Sequence, residues 1–224
     1  MMAEFIIIGT SHISRESVSL IAKVIEEKKP DFVAVELDVR RLHALLTHQK
    51  GSLHIRDVFR VGFKGFLFAV IGSLVQRKLG KIVGLEPGSD MLQAVRMAQR
   101  HGIQLFLIDQ DIEVTLRRFS QAFSWKEKFR FIADMVKGLL FPRAELKKYG
   151  LGDIDLRKVP PAQLVDTLIG QLKVRYPNLY QVLIAERNAY MIKKLKRIGV
   201  DKPDARVVVV VGAGHQRELE KALA

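Results

Sequence analysis

The chain has 224 residues, 48% of them hydrophobic and 27% charged, a balance that builds a globular core and excludes a disordered chain. It contains no cysteine, which excludes disulfides, thiolate metal sites and a cysteine nucleophile, so any metal must be held by His, Asp or Glu. Lysine and arginine (37) exceed aspartate and glutamate (24), for a net charge of +13. That favours anionic partners in general, but the basic residues are spread through helical stretches such as Arg117-Arg118 and Lys193-Lys194. No recognition motif or interleaved stacking aromatics accompany them, so nucleic acid is not the expected partner.

In chain order, the apolar run Phe5–Ile8 predicts a strand that ends in Gly9-Thr10-Ser11-His12. It is too short for a signal peptide and follows Glu4 rather than a basic stretch, so a cytoplasmic location is expected. Ser14 is placed to cap a helix over Arg15–Lys28, closed before Pro30-Asp31, and Phe32–Glu36 predicts the second strand. Asp38 can cap Val39–Gln49, and Asp111 likewise reads as a helix N-cap. Residues 57–80 include the apolar stretch Gly65–Val75, short of the roughly 20 residues that cross a bilayer. That stretch predicts a core helix, or one lying on a membrane or lining a substrate groove. A third strand is expected over Ile82–Leu85, leading to Glu86. Ser89 or Asp90 then caps Met91–His101, and Gly102 closes it.

Gln104–Ile108 predicts the fourth strand and Val207–Val211 the last, the latter running into Gly212-Ala213-Gly214-His215. Between them the strand signals stop and helical spacing covers Ile112–Ser120, Lys126–Leu140, Pro161–Val174 and Leu179–Ile198. Apolar runs without alternation are buried on both faces. The expected fold is therefore a single α/β domain over residues 1–224, its central, mostly parallel β-sheet flanked by helices. A long helical insertion, roughly residues 112–200, precedes the last strand.

Ligands of open parallel sheets collect outside the carboxyl ends of the strands. Here those ends carry His12, Glu36 and Asp38, Glu86, Asp109 and Asp111, and His215, whereas the opposite ends carry no histidine. Two segments spell Gly-x-x-His directly after a strand. Glycine there would let the backbone turn out of the sheet and approach a ligand closely. Two imidazoles with one or two carboxylates form an ordinary divalent-metal set.

The segments "GTSHIS", "VAVELDVRRL", "GLEPGSDMLQA", "LIDQDIEVTLRR", "AERNAYM" and "VVVVGAGH" follow one another in this order. Together the chain resembles the TraB/PrgY family, related to the Tiki and GumN proteins and more distantly to erythromycin-esterase-like hydrolases. Tiki proteins are metal-dependent proteases, and PrgY-type members inhibit or bind a peptide pheromone. The resemblance implies a metal-dependent hydrolase of peptide, amide or ester bonds, or a peptide-sequestering protein without turnover. His12 and His215, with Glu36 or Glu86, would hold Mn²⁺, Co²⁺ or Zn²⁺, and the remaining glutamate would act as general base. Arg187 and Arg41 would orient a carboxylate or stabilise an oxyanion. Many TraB-type chains continue into transmembrane helices, so a naturally short member or the soluble portion of a longer protein is expected. Apolar faces at Phe63–Val75 and at Phe129, Ile132, Ala133, Val136 and Leu140 lead us to expect a homodimer, with membrane-surface association as the second choice.

Overall fold

The computed structural model describes residues 3–11, 15–47, 88–140 and 161–224. The expected strand at Ile82–Leu85, the apolar stretch of residues 57–80, His12, Ser14 and Glu86 lie outside them. Four strands form one parallel sheet among the described residues: β1 (Glu4–Thr10), β2 (Phe32–Val35), β3 (Gln104–Leu107) and β4 (Arg206–Gly212), in the order β1-β4-β2-β3. The valine run makes β4 a central strand. Parallel ladders on both sides satisfy its backbone, and Val207 through Val211 are fully buried.

Successive side chains of a strand point to opposite faces, and the two faces build two cores. On one face, Val208 and Val210 pack with Ile8, Val33 and Val35 against α1 (Arg15–Lys28) and α3 (Ser89–Arg100), with α2 (Val39–Leu46) at the border. On the other, Val207, Val209 and Val211 pack with Ala34 and Ile108 against α8 (Glu186–Asp201) and α9 (Ala213–Leu223). The result is the expected α/β layering, helices on both sides of a parallel sheet.

The stretch between β3 and β4 is helical where it is described. It comprises α4 (Ile112–Ala122), α5 (Trp125–Leu140), α6 (Ala162–Arg175), the single turn α7 (Pro177–Tyr180) and a π turn over Gln181–Ala185 that continues into α8. Ser124 and Glu127 cap α5 reciprocally, at 3.3 Å in each direction. The same Glu127 carboxylate accepts from the Asn178 backbone at 2.8 Å and its side chain at 2.9 Å, which ties α7 to α5. Phe119, Leu179 and Val182 form a small separate core that joins α4 to the π turn. Trp125 and Phe129, at the start of α5, are 71% and 68% exposed. Among the described residues no helix is long and apolar enough to cross a membrane.

Two capping expectations hold and one does not. Asp38 accepts from the backbone of Arg40 and Arg41, and Asp111 from that of Glu113. Before α3, however, the cap position is Gly88 rather than Ser89 or Asp90. Gly88 takes φ 84°, a left-handed conformation that glycine reaches without strain, and a Cβ there would lie 3.0 Å from Leu45.

Stability should follow burial along α8. Leu195 is fully buried and Val200 is 78% exposed. Leu195→Ala is expected to cost about 2–5 kcal/mol, and Val200→Ala less than about 0.5 kcal/mol, as read by urea unfolding.

Candidate functional site

Parallel pairing places the strand ends side by side. Thr10 pairs with Gly212 and Val35 with Val210, and the ladder runs one residue further through the Glu36 N–H bond to the Val210 carbonyl at 3.0 Å. On the other side Ile108 N donates to the Val35 carbonyl at 3.0 Å and Asp109 N to the Leu37 carbonyl at 3.3 Å. Glu36, Asp109 and the start of α9 therefore meet at one end of the sheet. The two strands that lead to the Gly-x-x-His segments are direct neighbours, as the sequence reading requires.

His215 does not sit in a glycine turn. β4 passes directly into α9 at Ala213, and Gly212 has φ −62° and ψ 143°, which any residue adopts. His215 is therefore in the first helical turn, buried at 4% exposure. Close approach matters at the other glycine. A Cβ on Gly9 would lie 2.0 Å from Gln216 Oε1 and 3.2 Å from its Cβ, so glycine lets α9 rest on the end of β1.

A guanidinium organises the cluster. Arg187, on the first turn of α8, donates to Asp109 through Nε at 3.1 Å and Nη2 at 2.6 Å, a two-pronged ion pair. Its Nη2 also bonds Glu36 Oε1, and Nη1 reaches the Leu183 carbonyl in the π turn at 3.2 Å and His215 Nε2 at 3.1 Å. Gly212 N holds the second oxygen of Glu36 at 2.6 Å. The imidazole is fixed from behind, its Nδ1 lying 2.6 Å from Asn188 Oδ1. Arg41 closes the other side of Asp109 and bonds the helix-capping Asp38 at 2.6 Å through Nε. The centre is nearly dry: the side chains of Asp109, Glu36 and Arg187 are 0%, 4% and 15% exposed, with Arg41 half-buried at the edge.

Burial by itself would push the Asp109 carboxyl up, but the bonds and charge of Arg187, helped by Arg41, overcome it and hold the pKa below the usual carboxylate range. Burial likewise opposes the charge on both arginines and loses. Glu36 and Asp109 raise Arg187, and Asp109 and Asp38 raise Arg41.

The donor set can be tested for a metal on distance. His215 Nε2 and Glu36 Oε1 are 3.4 Å apart. Two ligand atoms about 2.0–2.1 Å from one tetrahedral ion are separated by about 3.4 Å, so the pair fits as half of such a set. The three carboxylates of Glu36, Asp38 and Asp109 face two guanidiniums, and the excess negative charge also suits a cation. Among the described residues no third ligand joins them, and His12 and Glu86 fall outside.

The structure thus brings together four of the six residues singled out in the sequence: Glu36, His215, Arg187 and Arg41. Both arginines are committed to carboxylates rather than pointing at open space. Asp109 was visible as a strand-end carboxylate without an assigned role. Asn188 was missed, although it is the residue after Arg187 in the quoted "AERNAYM".

A folded pKa below the unfolded one means that Asp109 stabilises the fold above its unfolded pKa of about 3.9. The contribution is lost as pH falls through the lower folded value. Asp109→Asn leaves the guanidiniums of Arg187 and the half-buried Arg41 short of a partner and should cost about 3–5 kcal/mol near neutral pH. The difference from the parent should shrink below about pH 4, as measured by denaturant unfolding across pH.

The profile of the TraB/PrgY/gumN family matches residues 2–218. An uncharacterized protein of Methanocaldococcus jannaschii is 32% identical over 214 residues, covering 93% of this chain and 50% of that protein. TraB domain-containing proteins of Mus musculus and Homo sapiens are each 26% identical over 241 residues, covering 96% of this chain and 61% of theirs. The chain thus spans about half to three fifths of the length of these relatives. With the family profile covering nearly all of its residues, the chain belongs to the TraB/PrgY/gumN family.

Proposed function

We propose that the end of the sheet is the active site of a metal-dependent hydrolase acting on peptide bonds or related amides and esters. The observation that carries this is the convergence of His215 Nε2 and Glu36 Oε1 at the spacing of two ligands on one ion, 3.4 Å apart. Glu36 is assigned as ligand because both its oxygens are pinned, one by Gly212 N–H and one by Arg187. Support for His12 as the second imidazole comes from the pairing of Thr10 with Gly212, which brings the two Gly-x-x-His strands together. Glu86 is then the general base. A divalent ion such as Mn²⁺, Co²⁺ or Zn²⁺ would supply a Lewis acid and a water of lowered pKa.

The protein's own part is positioning and charge. Arg187 Nη1, which faces His215 Nε2, would turn to negative charge developing on a substrate carbonyl oxygen when that ring nitrogen serves as a metal ligand. Arg41 acts one step further out, holding Asp109, which in turn holds Arg187.

The test is elemental analysis of the purified chain together with a peptide-library cleavage assay. The parent should bind a divalent ion and show cleavage stimulated by it. His215→Ala and Glu36→Gln should each lower metal occupancy at least about tenfold and abolish turnover. Unchanged occupancy in both variants overturns the metal assignment. Metal binding and peptide affinity without cleavage of any peptide would establish a binding protein instead.

A further inference from the structure

Asn188 is 2% exposed, and its two amide ends are treated very differently. Oδ1 lies 2.6 Å from Nδ1 of His215, while Nδ2 has no hydrogen-bond partner among the described residues. Arg187 fixes which atoms carry protons. A guanidinium has donors only, and Nη1 stands 3.1 Å from His215 Nε2. A neutral imidazole must therefore accept at Nε2 and carry its proton on Nδ1, where the asparagine oxygen receives it. With the amide turned over, Nδ2–H would face Nδ1–H and the Asn188 contact would fail.

The side chain is an odd choice for packing alone. A leucine would fill similar space without stranding a donor, and buried polar groups are ordinarily satisfied. An aspartate would accept the same bond, but would add a carboxylate to a cluster where three already face two guanidiniums. Asparagine supplies the acceptor without the charge, at the expense of an NH₂ group that finds no partner among the described residues. The tautomer of a histidine is set by the bond its other nitrogen makes, so the residue behind Nδ1 decides what Nε2 can do.

We infer that Asn188 is a positioning residue, holding His215 as the Nδ1–H tautomer so that Nε2, 3.4 Å from Glu36 Oε1, keeps its lone pair as an acceptor, for Arg187 Nη1 in this structure and for a divalent cation under the proposed function. The consequence for metal rests on the proposed function, whereas the tautomer assignment stands on geometry alone.

The experiment uses the full chain labelled with ¹⁵N in its histidine rings, metal-free and at about pH 8.5, where a free imidazole is neutral. Two-bond ¹H–¹⁵N correlation reads the tautomer, and His215 is identified by the signals lost in His215→Gln. The parent and Asn188→Asp should show Nδ1–H, and Asn188→Leu a shift toward Nε2–H. Calorimetric titration with Zn²⁺ should show affinity reduced about 10–100-fold in Asn188→Leu and retained in Asn188→Asp. An Nε2–H tautomer in the parent overturns the proposal, and this holds even if the leucine variant misfolds. Zn²⁺ binding of equal strength in a folded Asn188→Leu also overturns it and leaves the metal reading standing. The expected tautomers with no Zn²⁺ binding in the parent sustain the role of Asn188 and overturn the metal reading instead.

Discussion

Two carboxylates withdrawn from water at the ends of neighbouring strands set the terms for the rest of the molecule. Glu36 and Asp109 are almost fully buried, and an isolated buried carboxylate is among the most expensive groups a fold can hold. Arg187 meets both at once, with a two-pronged grip on Asp109 and a third bond to Glu36. This is why α8 must present its first turn to the carboxyl end of the sheet. It is also why the helical stretch before it is anchored so firmly, through the Glu127–Asn178 bonds and the Phe119–Leu179–Val182 core. Ion pairs of this kind add little net stability compared with apolar packing. Their value here is geometric, because a guanidinium with fixed donor directions gives each carboxylate oxygen a defined place.

The sheet makes that convergence possible. β4 is the last strand in sequence but lies between β1 and β2. The chain therefore returns through the centre of the sheet after the long helical stretch. That return seats Gly212 beside Thr10 on one side, and beside the continuation of β2 on the other. Residues from widely separated parts of the chain share one site because parallel strands all end on the same side. Gly212 contributes its backbone N–H to Glu36, and α9 begins one residue later. His215 is consequently held by a helix rooted in the central strand instead of by a loop.

Much of this was legible in the residues. Continuous β-branched runs such as Val207–Val211 have few solutions other than a strand buried on both faces, and the structure extends that run by only one residue at each end. Helix α1 matches its expected bounds, Arg15–Lys28, because a polar N-terminal side and Pro30 leave the spacing little freedom. Asp38 and Asp111 were readable as caps because capping chemistry is local. What was not legible is long-range or backbone-specific. Arg187 and Glu36 are 151 residues apart, and no local pattern says which carboxylates an arginine will meet. The π turn at Gln181–Ala185 has no side-chain signature. Gly212 looked like a conformational glycine but adopts ordinary extended dihedrals. Gly9, outwardly the same kind of residue, is the one with a close neighbour, the Gln216 side chain of α9.

The π turn and the two residues at the start of α8 explain one another. Arg187 and Asn188 are consecutive, so on a helix their side chains diverge by about 100°. One nevertheless reaches Nε2 and the other Nδ1 of the same imidazole. That geometry requires the ring to lie across the beginning of α8, edge-on between the two side chains. The Leu183 carbonyl of the widened turn accepts from Arg187 Nη1, steering the guanidinium toward the ring. π turns concentrate at functional sites for this kind of reason: the extra residue re-aims the side chains that follow. Arg187 is also tethered twice to Asp109, so a cation that took over Nε2 and Oε1 would leave the arginine anchored and at hand. Under the proposed function, the ring nitrogen and the carboxylate oxygen that now meet the guanidinium would be the atoms that pass to the ion.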